Sequence, residues 1–220
     1  MKVLVASDLH GNTRYAAKLG KIALDESIGL FVICGDVTNF GTVNSALKVL
    51  DIFAEMKLPI LFVPGNCDPK ELAATKTRDG IHCIHHGSKE FGGYEFMGLG
   101  GSSMTPFRTP FELSESEIEA MLEDAYNNTN RQKRLVLVTH TPPRDTMLDR
   151  TKFGVSAGSA TVRRFIQEKK TAAVFCGHIH ESRKVDYLDS IPMVNPGPAF
   201  EGYFAIARLE DRVWIELGCL

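Results

Sequence analysis

Five short clusters in this chain carry side chains able to bind a divalent cation. In order they are Asp8-x-His10, Gly35-Asp36, Gly65-Asn66-x-Asp68, His140 and Gly177-His178-x-His180, and four of the seven histidines fall in them. A lone Asp or His at the end of a strand is ordinarily a cap or a satisfied polar group, but five such clusters in series are not. Mixed oxygen and imidazole donors suit first-row ions such as Mn, Fe, Zn or Ni better than Ca or Mg. Two carboxylates, one amide and four imidazoles are too many ligands for one ion, and enough for two if one carboxylate bridges. Two ions about 3.5–4 Å apart can activate a bridging water and clamp a phosphoryl oxygen.

Such residues can meet only if the elements before them lie side by side. Each cluster follows an apolar run: Val3 to Ser7, Leu30 to Cys34, Ile60 to Val63, Leu135 to Thr139 and Ala172 to Cys176. Near-continuous apolar runs read as strands of a parallel sheet with both faces covered by helices. The intervening helices are legible. Tyr15, Ala16, Leu19, Ile22 and Ala23 make one apolar face after a cap at Asn12, and a second helix spans about Val43 to Met56. Ser114 to Glu117 forms a capping box before a third, and a fourth runs from about Ser159 to Lys169. The polar clusters then fall at the carboxyl ends of the strands, where open α/β sheets bind ligands.

The middle of the chain reads differently. Ile81 to Ile84 and Tyr94 to Met97 are short runs separated by turn signals, which predicts antiparallel hairpins. His82, His85 and His86 lie in this region, outside the pattern, and read as ordinary structural histidines. Residues 144–157 form a long loop of the kind that often serves as a lid. Short strands are expected at Met193 to Asn195, Tyr203 to Leu209 and Val213 to Leu217.

The chain has 220 residues, 44% hydrophobic and 24% charged, with a net charge of −2. That suits one domain over 1–220 and excludes a general nucleic-acid or membrane-surface binder. Met1 to Ser7 does not read as a secretory leader, and no apolar run is long enough to span a bilayer. Five cysteines without CxxC spacing read as reduced thiols, so a cytoplasmic location is expected.

Taken together, the five clusters resemble the ordered motifs of the calcineurin-like metallophosphoesterases, over about residues 3 to 198, and most resemble the small single-domain, phosphodiesterase-like prokaryotic members. The resemblance implies a four-layer αββα sandwich of two mixed β-sheets flanked by helices. It implies that Asp8, His10 and His180 hold one divalent metal, that Asn66, His140 and His178 hold a second, and that Asp36 bridges them. Manganese is the expected ion, with Fe, Zn, Ni or Co as alternatives. It also implies that Asn195-Pro196-Gly197 supports the site from behind, although the usual next serine is Pro198 here.

One position departs from the family pattern. The third motif is usually Gly-Asn-His-Asp or Gly-Asn-His-Glu, and here it is Gly65-Asn66-Cys67-Asp68. The histidine acts beside the scissile bond and the acidic residue orients it, so Cys67 and Asp68 occupy the catalytic acid positions. A thiol, with an ordinary pKa of about 8.5, is a poor proton donor at neutral pH. Three readings stay open: a slower hydrolase, a hydrolase of esters with good leaving groups, or a scaffold module, as in a retromer coat subunit that shares the fold and lacks the histidine. Against the last, all seven metal-ligand positions are intact.

The expected activity is metal-dependent hydrolysis of a small-molecule phosphoester, a diester rather than a monoester, possible substrates including nucleotide derivatives. Arg108 and Arg144 are the candidate readers of its phosphate, because each lies in a loop near a motif. Oligomeric state is not legible.

Overall fold

The computed structural model describes residues 1–220. Strand β1 (Lys2–Ala6) leads to helix α1 (Thr13–Asp25), β2 (Leu30–Cys34), α2 (Val43–Ala54), β3 (Ile60–Val63) and β4 (Ile81–Cys83). Then follow β5 (Gly87–Phe91), β6 (Tyr94–Leu99), the short β7 (Ser102–Ser103) and β8 (Glu112–Leu113), α3 (Glu115–Asn127) and β9 (Arg134–Thr139). Helix α4 (Ala160–Lys169), β10 (Ala173–Phe175), β11 (Lys184–Leu188), β12 (Ile191–Asn195), β13 (Tyr203–Leu209) and β14 (Val213–Cys219) complete the chain.

Two six-stranded mixed sheets result, ordered β14-β13-β1-β2-β3-β4 and β11-β12-β10-β9-β6-β5. In each, four neighbouring strands run parallel, β1 to β4 in the first and β12-β10-β9-β6 in the second. Antiparallel strands occupy the remaining edge positions.

Alternation along the strands explains the layers. Val3 and Val5 point inward and pack with Val32, Val63, Val136, Val138 and Phe175 between the sheets. Leu4 and Ala6 point outward, with Ile33 and Phe62, onto Leu19 and Ala23 of α1 and Leu50 and Phe53 of α2. On the other side Leu137, Val174 and Met193 meet Ile118, Leu122, Val162 and Phe165 of α3 and α4. This is the αββα sandwich. It corrects the simpler reading of one parallel sheet with helices on both faces. A continuous apolar run reports that both faces of a strand are buried, and here the second sheet, not a second helix layer, covers one of them.

The middle region also differs from the expected pair of hairpins. Ile81–Cys83 joins the first sheet, parallel to β3, whereas the antiparallel hairpin is β5–β6, closed at Gly92-Gly93 and part of the second sheet. The segment Gly87–Phe91 has little apolar content, so its strand character comes from pairing with β6. No helix is long and apolar enough to cross a membrane.

Candidate metal centre

The carboxyl ends of β1, β2, β3, β9 and β10 converge, and the five clusters leave them in tight turns. Four of the seven ligand candidates, Asp8, His10, Asp36 and His178, have φ between 45° and 72°. Non-glycine residues in that region are uncommon and concentrate at functional sites. Two glycines permit the close approach. A side chain at Gly65 would overlap the carboxylate and amide of Asp36, and one at Gly177 would overlap Ser7 and crowd Asp8.

The donors meet in overlapping groups. One ligand atom each from Asp8, His10 and His180 lie within 4.8 Å of one another, and so do those of Asp8, Asp36 and His140, and of His10, Asp36 and Cys67. Asn66 enters through its Oδ1, 2.8 Å from His140 Nε2. The His178 ring packs 5.0 Å from that of His140, and its backbone N–H donates to Asp8 Oδ2 at 3.1 Å. Asp8, Asp36, Asn66 and His140 are buried, while His10 and His180 are partly open.

Several contacts bring possible ligand atoms face to face. His140 Nδ1 lies 2.7 Å from the carbonyl oxygen of Cys34, so it carries the proton. Its Nε2 lies 2.8 Å from Asn66 Oδ1. His10 Nε2 faces His180 Nε2 at 3.4 Å and Asp36 Oδ2 at 3.6 Å, and its buried Nδ1 has no hydrogen-bond partner. Deprotonated oxygens and imidazole nitrogens converging in a buried volume fit divalent ions.

Electrostatics agree. Burial pushes the Asp36 carboxyl up to about 6, against the pull of His140. Burial also works to raise Asp8, but the hydrogen bond from His180 and the neighbouring imidazoles hold it well below the usual range. Burial and the nearby His140 push His178 down to about 3, so its ring is neutral and ready to donate a lone pair. Burial lowers His10 too. His180 rises despite burial because Asp8 accepts its hydrogen bond at 3.2 Å.

Cys67 sits within this centre. Its Sγ is near the Asp36 carboxylate and 3.6 Å from Asn66 Nδ2. Burial and the Asp36 charge push the thiol well above its ordinary value, so it stays protonated. Asp68 does not reach toward it by hydrogen bond. Its fully buried carboxylate accepts from Val37 N (3.0 Å), Thr38 N (2.7 Å), Thr38 Oγ1 (2.9 Å) and Gly65 N (2.9 Å). It therefore ties the turn after β2 to the turn after β3.

Arg108 and Arg144 are exposed, and neither guanidinium forms an ion pair or a hydrogen bond. The 144–157 loop is braced rather than free. Buried Asp149 accepts from the backbone N–H of Asp145 (3.0 Å), Thr146 (3.2 Å) and Gly158 (3.1 Å) and from the Ser156 hydroxyl. Asn195 lies behind the histidine turn, its Nδ2 donating to Ile179 O at 2.8 Å and Gly177 O at 3.3 Å. Phe200, which no motif flags, packs edge-on against both His10 and His180, each centroid 5.3 Å away. Its only sequence signal is its position just past Asn195-Pro196-Gly197.

Comparison with known proteins places this geometry. The model of the calcineurin-like phosphoesterase family matches residues 1–182. An uncharacterized protein of Methanocaldococcus jannaschii is 36% identical over 222 residues, covering 98% of this chain and 96% of that one. Among solved structures, a protein described as a novel archaeal phosphodiesterase superposes with a TM-score of 0.62 at 17% identity, covering all of both chains. A dimetal phosphatase from Danio rerio gives 0.67 at 14% identity, covering 99% of this chain and 95% of that one.

Proposed function

The chain belongs to the calcineurin-like phosphoesterase family, and from that premise we propose that it is a phosphodiesterase dependent on two divalent ions. Asp8, His10 and His180 would hold one ion, Asn66, His140 and His178 the other, with Asp36 between them. The observation that supports this reading most is the overlap of the ligand groups, one atom each from Asp8, His10 and His180, and from Asp8, Asp36 and His140, lying within 4.8 Å of one another. When bound, the ions supply a nucleophilic water at neutral pH and neutralise charge developing on the phosphoryl oxygens.

The chain's own residues set the rest. The His140 Nδ1–H bond to Cys34 O and the bonds of Asp8 hold the donors in place. Cys67 keeps its proton and cannot readily give it to a departing oxygen, which favours esters whose leaving group departs unaided. Arg108 and Arg144 would read the far side of the phosphate, and a nucleotide derivative is among the substrates such a site suits. Five free cysteines fit the cytoplasmic placement we propose.

The test is a panel of bis(p-nitrophenyl) phosphate and p-nitrophenyl phosphate with Mn²⁺, Ni²⁺, Co²⁺ and Zn²⁺, manganese being the ion expected to serve best. Diester turnover abolished by Asp36→Ala supports the proposal, and no turnover with any ion overturns it. Cys67 also motivates a second reading, an interaction module of the same fold. Stoichiometric metal uptake without turnover, unchanged by Cys67→His, would favour that reading.

A further inference from the structure

A wide cavity lies away from the candidate metal centre, at the opposite end of the sandwich. It is a groove of about 960 Å³ at the amino ends of β9, β10, β12 and β14, bounded by the last turns of α3 and α4. Six cationic residues line it, Arg131, Lys133, Arg134, Lys169, Lys170 and Arg212, against two carboxylates, Asp189 and Asp211. This excess stands out in a chain of net charge −2.

The cations divide by what they already do. Lys133 pairs with Glu90 at 3.0 Å and Lys169 with Glu123 at 2.8 Å. Arg134 is held by Tyr94 Oη (2.8 Å) and Glu210 O (2.6 Å), and Arg131 by Asn127 Oδ1 (2.7 Å), with no carboxylate partner for either. Lys170 and Arg212 are exposed, and their side chains make neither an ion pair nor a hydrogen bond. Complementing a helix dipole accounts for Lys169 and Lys170 at the end of α4. It does not account for Arg134 and Arg212, which lie on no helix.

A further observation points to a ligand. Tyr187 and Trp214, two aromatic residues of the same groove, are each 60% exposed.

We propose that this groove is a second binding site, for a small ligand carrying several phosphates and a planar ring, of the nucleoside polyphosphate class. Lys170, Arg212, Arg131 and Arg134 supply charge for the phosphates, and Tyr187 with Trp214 the aromatic surface. The volume falls in the range of small-molecule pockets, about 300–1,000 Å³. The site shares no residue with the metal centre and stands whether or not the chain hydrolyses phosphoesters.

Trp214 is the only tryptophan in the chain, so its emission gives a local readout. The full-length protein, stripped of metal and kept in excess chelator so that the metal centre cannot anchor phosphate, is titrated with ADP and ATP, and calorimetry repeats the titration. Saturable binding of both is expected, with ATP tighter. Lys170→Glu combined with Arg212→Glu, at two exposed positions, should weaken it at least about tenfold through loss of two charged contacts. Absence of saturable binding by either method, or equal affinity in the double variant, overturns the proposal. Pyrophosphate binding as tightly as ADP overturns the assignment of a planar ring. A single-stranded oligonucleotide binding more tightly than ATP replaces the small ligand with nucleic acid.

Discussion

The two ends of this sandwich are built on opposite plans. At the carboxyl ends of the strands, acids and imidazoles are buried, turned back in positive-φ bends and held by backbone bonds. At the amino ends, cations stand exposed on loops and helix termini around a wide groove. The first plan gathers a few charges of high local field and costs backbone strain. The second spreads its charge over surface side chains that cost the fold little. The difference predicts how each end responds to substitution: the metal end through folding, metal uptake and chemistry together, the groove through ligand affinity alone.

The sharpest test is Asp36→Asn. Removing the carboxylate shared by the donor groups should lower diester turnover at least about 1,000-fold, since several kcal/mol of charge stabilisation are lost. Metal content per chain, measured by elemental analysis, should fall with it. Retained metal and activity would break the contrast between the ends.

Asp68→Asn comes next. An amide NH2 replaces a buried oxygen that accepts from Val37 and Gly65, turning a donor toward two donors. Denaturant unfolding should show a loss of about 2–4 kcal/mol. If stability is unchanged and only turnover of poor leaving groups falls, Asp68 acts on residue 67 and not as a brace.

Cys67→His restores a donor where the thiol is held protonated. Turnover of substrates with poor leaving groups should rise by up to about 100-fold, the lower end of what a positioned acid contributes. Hydrolysis of bis(p-nitrophenyl) phosphate, whose leaving group needs no proton, should change little. An equal rise for both would show that the histidine does something other than protonate.

These tests bear on what could be read from the chain alone. The five polar clusters that converge were legible because each follows an apolar run and is punctuated by glycine or proline. Backbone strain and burial force that punctuation. The helices were legible from period and caps, such as Ser114 with Glu117. The second sheet was not legible as a cover for the first, because inward Val5 and outward Leu4 are equally apolar. Gly87–Phe91 was missed because an edge strand takes its order from its partner. Asp149 and Phe200 were missed because their roles arise from contacts made across long loops. The groove left no motif, since exposed lysine and arginine are common and only the fold brings Arg131, Lys170 and Arg212 together.

The smallest effect expected concerns protons, and it separates the ends without any substitution. No histidine lines the groove, whereas His178 and His85 lie at the metal end or behind it. Burial, helped by His86, pushes His85 down to about 4 from the ordinary 6.5, and its Nδ1 accepts the Gly100 N–H at 2.8 Å. A folded pKa below the unfolded one means that the unfolded chain binds the proton first. The stability tied to His85 is therefore complete above about pH 6.5 and is lost as pH falls toward 4, on the order of 2 kcal/mol after allowing for its partial exposure. Protonating Nδ1 also removes the acceptor for Gly100. Hydrogen exchange, corrected for intrinsic rates, should show Gly100 losing protection on acidification before the amide of Ala172 beside the groove, which donates to Leu135 O. The reverse order would mean that acid opens the basic end first, and that His85 is not the group that senses it.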